Sequence, residues 1–464
     1  MSEQRHIRTA ELLSEASERA ARYLDGLAER RVAPDPAALD ALDGLDGILP
    51  EDGTSAADVL DLLDRLGAPA SIASAGPRYF GFVTGGALPA ALAANWLAGA
   101  WDQNAFSTVS SPLAARLDEI AVRWLLGILG LPAEGGGALV TGATMANFTA
   151  LAAARHRVLE RAGWDAEADG LFDAPPITVV VGEEAHSTLF KSLGLLGLGR
   201  NRVLRVPVDG QGRMRPSAIL DALPRVEGPA IVCLQAGNVN TGAFDPAAEI
   251  VPAAQAAGAW VHVDGAFGLW AAAAPGRAHL AAGFELADSW ALDGHKWLNV
   301  PYDCGAALVR DPTALSAAMA IAAAYLPKGQ RREPFDFTPE SSRRMRGAEV
   351  WAALKSLGRV GVAELIERNC AQAARFADGL RDAGFAVLNE VDLNQVLVSF
   401  GDAATTEKVI AAVQADGTCW CGGTVWQGQT AMRISLSSWA TTDADVARSL
   451  EAMIGLAKEI VEGG

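Results

Sequence analysis

The sequence has little of what would take a protein out of a reducing, aqueous compartment. Five cysteines are spread over 464 residues, too few and too scattered for a disulfide framework. No uninterrupted apolar run reaches the ~20 residues that span a bilayer. The start, Met1-Ser2-Glu3-Gln4-Arg5-His6, lacks the apolar centre of a signal peptide. Basic charge is short too: 38 Lys and Arg stand against 55 Asp and Glu, a net charge of −17. That balance argues against nucleic acid or an anionic membrane as a partner. Cys419-Trp420-Cys421 has no nearby Cys or His cluster, so no metal site is expected, and it is read as packing beside Gly422-Gly423. What remains is 50% hydrophobic and 20% charged. This is the profile of a soluble, cytoplasmic globular chain with one large domain and appendages.

What is present centres on Asp293-Gly294-His295-Lys296-Trp297-Leu298-Asn299. A lysine held between a histidine and a tryptophan, at the end of a short apolar segment, is not placed for solubility. A fixed, partly desolvated amine has a lowered pKa and attacks carbonyls. The commonest use of such a lysine is a Schiff base with pyridoxal phosphate (PLP). That cofactor needs an acid for its pyridine nitrogen, a flat group against its ring and a cradle for its phosphate.

The chain in order bears on those needs. Residues 1–70 read as helices, over about 9–31 and 58–66, joined by polar linkers, and they pack on the main body or on a second subunit. Residues 76–86 form a glycine-bracketed aromatic segment too broken for a helix. Ser110-Ser111-Pro112 caps a helix over about 113–129. A short strand then runs through Leu139-Val140 into Gly142-Ala143-Thr144 and a helix to about 161. Backbone amides at that helix start are an anion site that Gly142 and Ala143 let a phosphate approach, with the Thr144 hydroxyl as a further donor. From 177 onwards, apolar strands (177–181, 201–206, 230–235, 260–263, 289–292) alternate with helices (189–196, 216–223, 249–258). The alternation predicts a mostly parallel sheet with helices on both faces, and ligands bind outside the strand C-terminal ends of such sheets. His186, Asn238, Asp264, Ala266, Asp293, His295 and Lys296 all follow strand ends, which implies one shared site. Asp264, closing Trp260-Val261-His262-Val263, needs a partner; a protonated pyridine nitrogen would serve. His186 suits the ring face, and Asp293 and His295 the phosphate. Residues 324–335 read as an exposed loop and candidate lid. Helices over 348–357 and 362–383 lead to a terminal part with antiparallel strands (385–388, 395–400, 431–436) and helices (406–414, 443–462). Arg433 there is a possible contact for a substrate carboxylate. The expected division is 1–70, 71–345 and 346–464.

With these residues in place, the chain resembles the group II PLP-dependent amino acid decarboxylases, among them aromatic L-amino acid and glutamate decarboxylases. The likeness covers roughly residues 70–450. Its specific parts are Val261-His262-Val263-Asp264-Gly265-Ala266, Asp293-Gly294-His295-Lys296-Trp297 and Arg433-Ile434-Ser435 with Trp439-Ala440-Thr441-Thr442. The resemblance implies an α/β fold of the aspartate aminotransferase type (fold type I), with a mostly parallel central sheet and a small C-terminal α+β domain. It also implies an obligate homodimer with its sites at the subunit interface. By matching positions it implies Lys296 as the Schiff-base lysine, Asp264 on the pyridine nitrogen, His186 stacked on the ring, and Ala143 and Thr144 in the phosphate cradle. Two departures stand out. Gly237-Asn238-Val239-Asn240-Thr241 replaces the Gly-Thr-Thr of many relatives. The lid tyrosine of aromatic decarboxylases has no clear counterpart: the region offers Phe335 and Phe337, with Tyr325 before it.

The implied reaction converts an L-amino acid to its amine and CO2. Other readings are aldehyde formation with oxygen, transamination, or a silent PLP-binding scaffold, and the full set of Lys296, Asp264 and His186 weighs against the last. Tyr79, Phe80, Phe82, Trp101 and Phe106 are expected pocket walls, partly across the dimer, favouring an aromatic or apolar substrate.

Overall fold

The computed structural model describes residues 9–321 and 332–463. Its centre is a seven-stranded sheet of β1 (Gly136–Val140), β2 (Thr178–Gly182), β3 (Leu204–Val206), β4 (Ala230–Gln235), β5 (Trp260–Asp264), β6 (Ser289–Asp293) and β7 (Gly305–Val309). The spatial order is β1-β7-β6-β5-β4-β2-β3. Strand β7 pairs antiparallel with both β1 and β6, while the pairings from β6 through to β3 are parallel. Every residue of β5, β6 and β7 is buried. Strands covered on both faces need continuous apolar runs rather than alternation, and Ala291-Leu292 and Ala306-Ala307-Leu308-Val309 supply them.

Five expected strands thus recur within a few residues. The antiparallel β7 does not figure among them: Gly305-Ala306-Ala307-Leu308-Val309 is a short run with one β-branched residue and no aromatic one, a weak strand signal. The expected helix over 249–258 runs Ala247–Ala256, and the helix opening the anion site spans Ala143–Arg161. The first helix ends at Asp25 rather than near 31, since Gly26 opens a turn. The second runs Ala56–Ala70, longer than 58–66.

A second sheet, antiparallel throughout, has the order β10-β11-β9-β8, formed by β8 (Ala386–Val387), β9 (Gln395–Ser399), β10 (Gly422–Trp426) and β11 (Gln429–Ser435). Helices Ala403–Asp416 and Asp443–Gly463 accompany it. Strand β10 grows out of the Cys419-Trp420-Cys421 segment, and both cysteines are buried in this sheet's core with Phe376, Met432 and Met453. The helix Gly347–Asp382 bends at Gly358, whose φ of 61° and ψ of −176° are not helical. Its Val350, Leu354 and Leu365 join the main core, and its Ala373, Phe376 and Leu380 join the second. One helix therefore fixes the small sheet against the large one. No described helix is long and apolar enough to cross a membrane.

Candidate active site

A cleft of about 380 Å³ opens at the C-terminal ends of the parallel strands. Gly142, Ala143, Thr144, His186, Asp264, Ala266, Asp293, His295 and Lys296 all line it. Four separate strand ends converge here because parallel strands all finish on one edge of the sheet.

Lys296 follows the end of β6 and is held by its surroundings. Its Nζ lies 2.9 Å from Asp293 Oδ2. The next residue, Trp297, is fully buried and donates its indole N–H to Asn369 Oδ1 at 3.0 Å. Asn299, also buried, accepts from the amides of Gly86 and Trp439 and donates to the carbonyls of Trp297 and Ser437. All four hydrogen-bonding positions of one amide are thereby used to tie three chain segments around the lysine. The loop carrying Gly85 comes so close that a Cβ there would sit 1.8 Å from the Lys296 carbonyl oxygen.

Asp293 reaches in two directions. Its Oδ1 accepts from the Ala143 amide at 2.5 Å, at the N-terminus of the helix Ala143–Arg161, and lies 3.4 Å from His295 Nε2. His295 accepts the Cys304 amide on Nδ1 and stacks on Tyr302, ring centres 4.4 Å apart. Burial lowers its pKa.

Asp264 closes β5 and is almost fully buried. Its Oδ2 accepts from Asn147 Nδ2 at 3.2 Å and its Oδ1 from the Ala266 amide at 3.3 Å. A carboxylate has about four acceptor positions, so two long bonds leave it capacity to spare. His186 caps the helix Ser187–Leu195: its Nδ1 accepts from the Thr188 amide at 3.3 Å and lies 2.7 Å from Thr188 Oγ1. Those contacts pin the ring and put the neutral imidazole's proton on Nε2. Burial lowers the His186 pKa, against an opposing pull from Asp264, so the ring is neutral at pH 7.

The sequence of residues 41–401 matches the pyridoxal-dependent decarboxylase conserved domain. The chain belongs to that family. It is 31% identical to the L-2,4-diaminobutyrate decarboxylase of Rhizobium meliloti (strain 1021) over 439 residues, 90% of this chain and 85% of that protein. It is 28% identical to tryptophan decarboxylase 1 of Oryza sativa subsp. japonica over 401 residues, 78% and 77% of the two chains. The crystal structure of Oryza sativa TDC with PLP and tryptamine superposes with a TM-score of 0.90 at 23% identity, covering 99% of each chain. The protein is a PLP-dependent amino acid decarboxylase with the fold that the resemblance implied.

The decarboxylase's own residues fit the cofactor. The amides of Thr144 and Met145, in the first turn of a 19-residue helix, have no hydrogen-bond partner among the described residues, and the positive end of a helix dipole suits a phosphate. Asp264 has acceptor capacity for a ring N–H, and Lys296 shares the cleft with it. Among the described residues no cluster suited to a metal ion is found.

The structure departs from the expectations at several residues. Asn238 is buried outside the cleft lining: its Oδ1 takes the amides of Asn240 and Thr241, and its Nδ2 donates to the Glu184 carbonyl. An asparagine in a glycine-flanked turn is used up by the turn itself. Of the five aromatic walls, expected partly across a dimer, only Phe82 lines the cleft of the single chain. Tyr79 stacks on Trp420 and Phe80 packs on Phe376. Phe106 stacks on Phe335, and Trp101 is exposed on the helix Pro89–Trp101. Gln235, Phe267 and Tyr302 line the cleft without having been singled out. Tyr302 lies in the irregular stretch between β6 and β7, where no regular period flags it. Of the lid expectation, residues 324–331, Tyr325 included, lie outside the described residues; Phe335 is buried against Phe106.

Proposed function

We propose that this decarboxylase acts on an L-amino acid with an aromatic or apolar side chain, with Lys296, Asp264 and His186 as its central residues. The observation that carries the reading is the meeting of that amine, carboxylate and imidazole in one cleft beside the start of the helix Ala143–Arg161. Lys296 would carry the cofactor's aldehyde carbon, Asp264 would hold the pyridine nitrogen protonated, and His186, pinned by Thr188, would lie against the ring. Gly142, Ala143 and Thr144 would take the phosphate, with His295 and Asp293 beside it and Ala266 below Asp264. Bound PLP supplies an electron sink for the pair released as CO2 leaves.

The side-chain preference is supported by Phe82, Phe267, Tyr302, Val239 and Met145 in the lining. Arg433 is a candidate for the substrate carboxylate. It forms no ion pair among the described residues, donates to the Val239 carbonyl at 3.2 Å, and sits beside the cleft with its pKa lowered by burial. A homodimer is part of the same reading. Support comes from Trp96, Leu97 and Trp101, exposed on one helix, near an apolar groove lined by Leu24, Leu92, Trp96 and Trp439; exposed apolar residues gathered on one surface mark association sites. The division into 1–70, 71–345 and 346–464 belongs to it too, supported by the separate core of the small sheet.

The test is to incubate the PLP-loaded protein with pooled amino acids and follow CO2 and amine by mass. Aromatic or apolar amines are the expected products, and Lys296→Ala should lose both turnover and the near-visible absorbance of the covalently held cofactor. Retention of that absorbance removes the lysine assignment. Exclusive turnover of a charged amino acid removes the side-chain preference.

A further inference from the structure

Strand β5 turns Trp260, His262 and Asp264 to the same face, since alternate residues share a side. Only Asp264 reaches the cleft. Behind it runs an unbroken hydrogen-bonded chain in the interior. Asn147 Nδ2 meets Asp264 Oδ2 at 3.2 Å, and Asn147 Oδ1 meets His262 Nε2 at 2.8 Å. His262 Nδ1 meets Ser289 Oγ at 2.9 Å, and Ser289 Oγ takes the Trp260 indole N–H at 2.8 Å. Asn147, His262 and Ser289 are all fully buried, and none of the three lines the cleft.

The direction of this chain is forced from both ends. An ionised carboxylate only accepts, so Asn147 must turn its NH2 to Asp264 and its carbonyl to His262. That carbonyl requires a proton on His262 Nε2, which leaves Nδ1 as an acceptor. Ser289 must then donate its hydroxyl proton to Nδ1, and the indole of Trp260, a donor only, fills the serine's lone pair. Reversing any one link sets two donors or two acceptors face to face. Burial pushes the His262 pKa down to about 3, so the imidazole stays neutral and keeps this single tautomer across the physiological range.

We infer that Asn147, His262 and Ser289 are positioning residues that hold the Asp264 carboxylate in one orientation as an acceptor for the cofactor's ring nitrogen. The inference rests on the reading of Asp264 given above. Without the chain, the Asn147 amide is free to flip, and Asp264 loses one of its two protein donors.

The experiment uses the full-length protein reconstituted with PLP and reads two quantities: the PLP dissociation constant from tryptophan fluorescence, and the ratio of the near-ultraviolet to near-visible absorbance bands of the bound cofactor. Asn147→Leu should weaken PLP binding roughly tenfold, the loss of about one hydrogen bond to a charged group, and should change the band ratio. His262→Leu should change the ratio in the same sense although its side chain never meets the cofactor. His262→Gln, whose amide N–H stands in for Nε2–H, should restore both. A wild-type ratio and affinity in His262→Leu, with both altered in Asp264→Ala, overturns the positioning chain alone. Unaltered values in Asp264→Ala overturn the underlying reading instead. Should His262→Leu fail to fold, Ser289→Ala removes one hydroxyl and carries the same test: an unchanged ratio overturns the inference.

Discussion

Asp245 shows how one residue links the site to the solution pH. It is buried, accepts the Met214 amide on Oδ1 and the Gln235 amide on Oδ2, both at 2.7 Å, and so fixes the backbone of a residue that lines the cleft. Burial outweighs both hydrogen bonds and pushes its pKa up to about 6, from 3.8. A carboxyl whose folded pKa is raised takes up a proton on folding. Its contribution is full below pH 3.8 and is lost as pH rises through about 6. Asp245→Asn removes that uptake and turns one amide N–H towards a backbone N–H. The variant should be less stable at pH 7 by about 1–2 kcal/mol, and the gap should widen by about 1 kcal/mol at pH 5. Urea unfolding at the two pH values measures this, and a gap that stays constant contradicts the buried, proton-binding carboxyl. His262 titrates with the opposite sign: its lowered pKa gives stability above pH 6.5 that is lost as pH falls towards 3.

Among the elements, β7 does more for the site than its five residues suggest. Lying antiparallel between β1 and β6, it brings Gly305 against the turn that starts the helix Ala143–Arg161. A Cβ on Gly305 would fall 2.6 Å from the Gly142 backbone. No backbone can yield that much without moving, so Gly305→Val should shift the turn and with it the amides of Ala143 and Thr144. The expected result is a loss of about 1–3 kcal/mol in stability from overpacking, with PLP affinity falling tenfold or more. Equilibrium dialysis against PLP and thermal unfolding check the two parts. Wild-type affinity in a destabilised variant would show that the turn does not hold the phosphate.

For the whole molecule, the two amino-terminal helices Thr9–Asp25 and Ala56–Ala70 bury no residue of their own in the single chain, and the first of them lines the apolar groove next to Trp96 and Trp439 through Ser17, Ala21 and Leu24. Two copies closing over such surfaces would cover them. Sedimentation equilibrium should return twice the 48.3 kDa mass of one chain, and Trp96→Glu should shift the population towards single chains. A single-chain mass for the unaltered protein would remove the dimer from the proposed function.

Reading the chain alone reaches far at this protein because its candidate site residues sit where local pattern changes. Lys296, Asp264 and His186 each follow an apolar strand, and the order of strands and helices is carried by hydrophobic period, a local property. Asn238 and the aromatic walls show the limit. A polar or aromatic residue near a strand end has several possible partners, and the sequence does not say whether a turn amide, a neighbouring ring or the cleft will claim it. Tertiary structure decided that Asn238 holds its own turn, that Tyr79 and Phe80 face the small sheet, and that β7 runs against its neighbours. It also brought Asn147, more than a hundred positions upstream, between Asp264 and His262. The sequence by itself determined the family, and with it the reaction class, and it pointed to candidate residues that the fold gathers in one cleft. Only the folded chain decided which side chains support them, because hydrogen-bond partners are chosen by distance in space and not by distance along the chain.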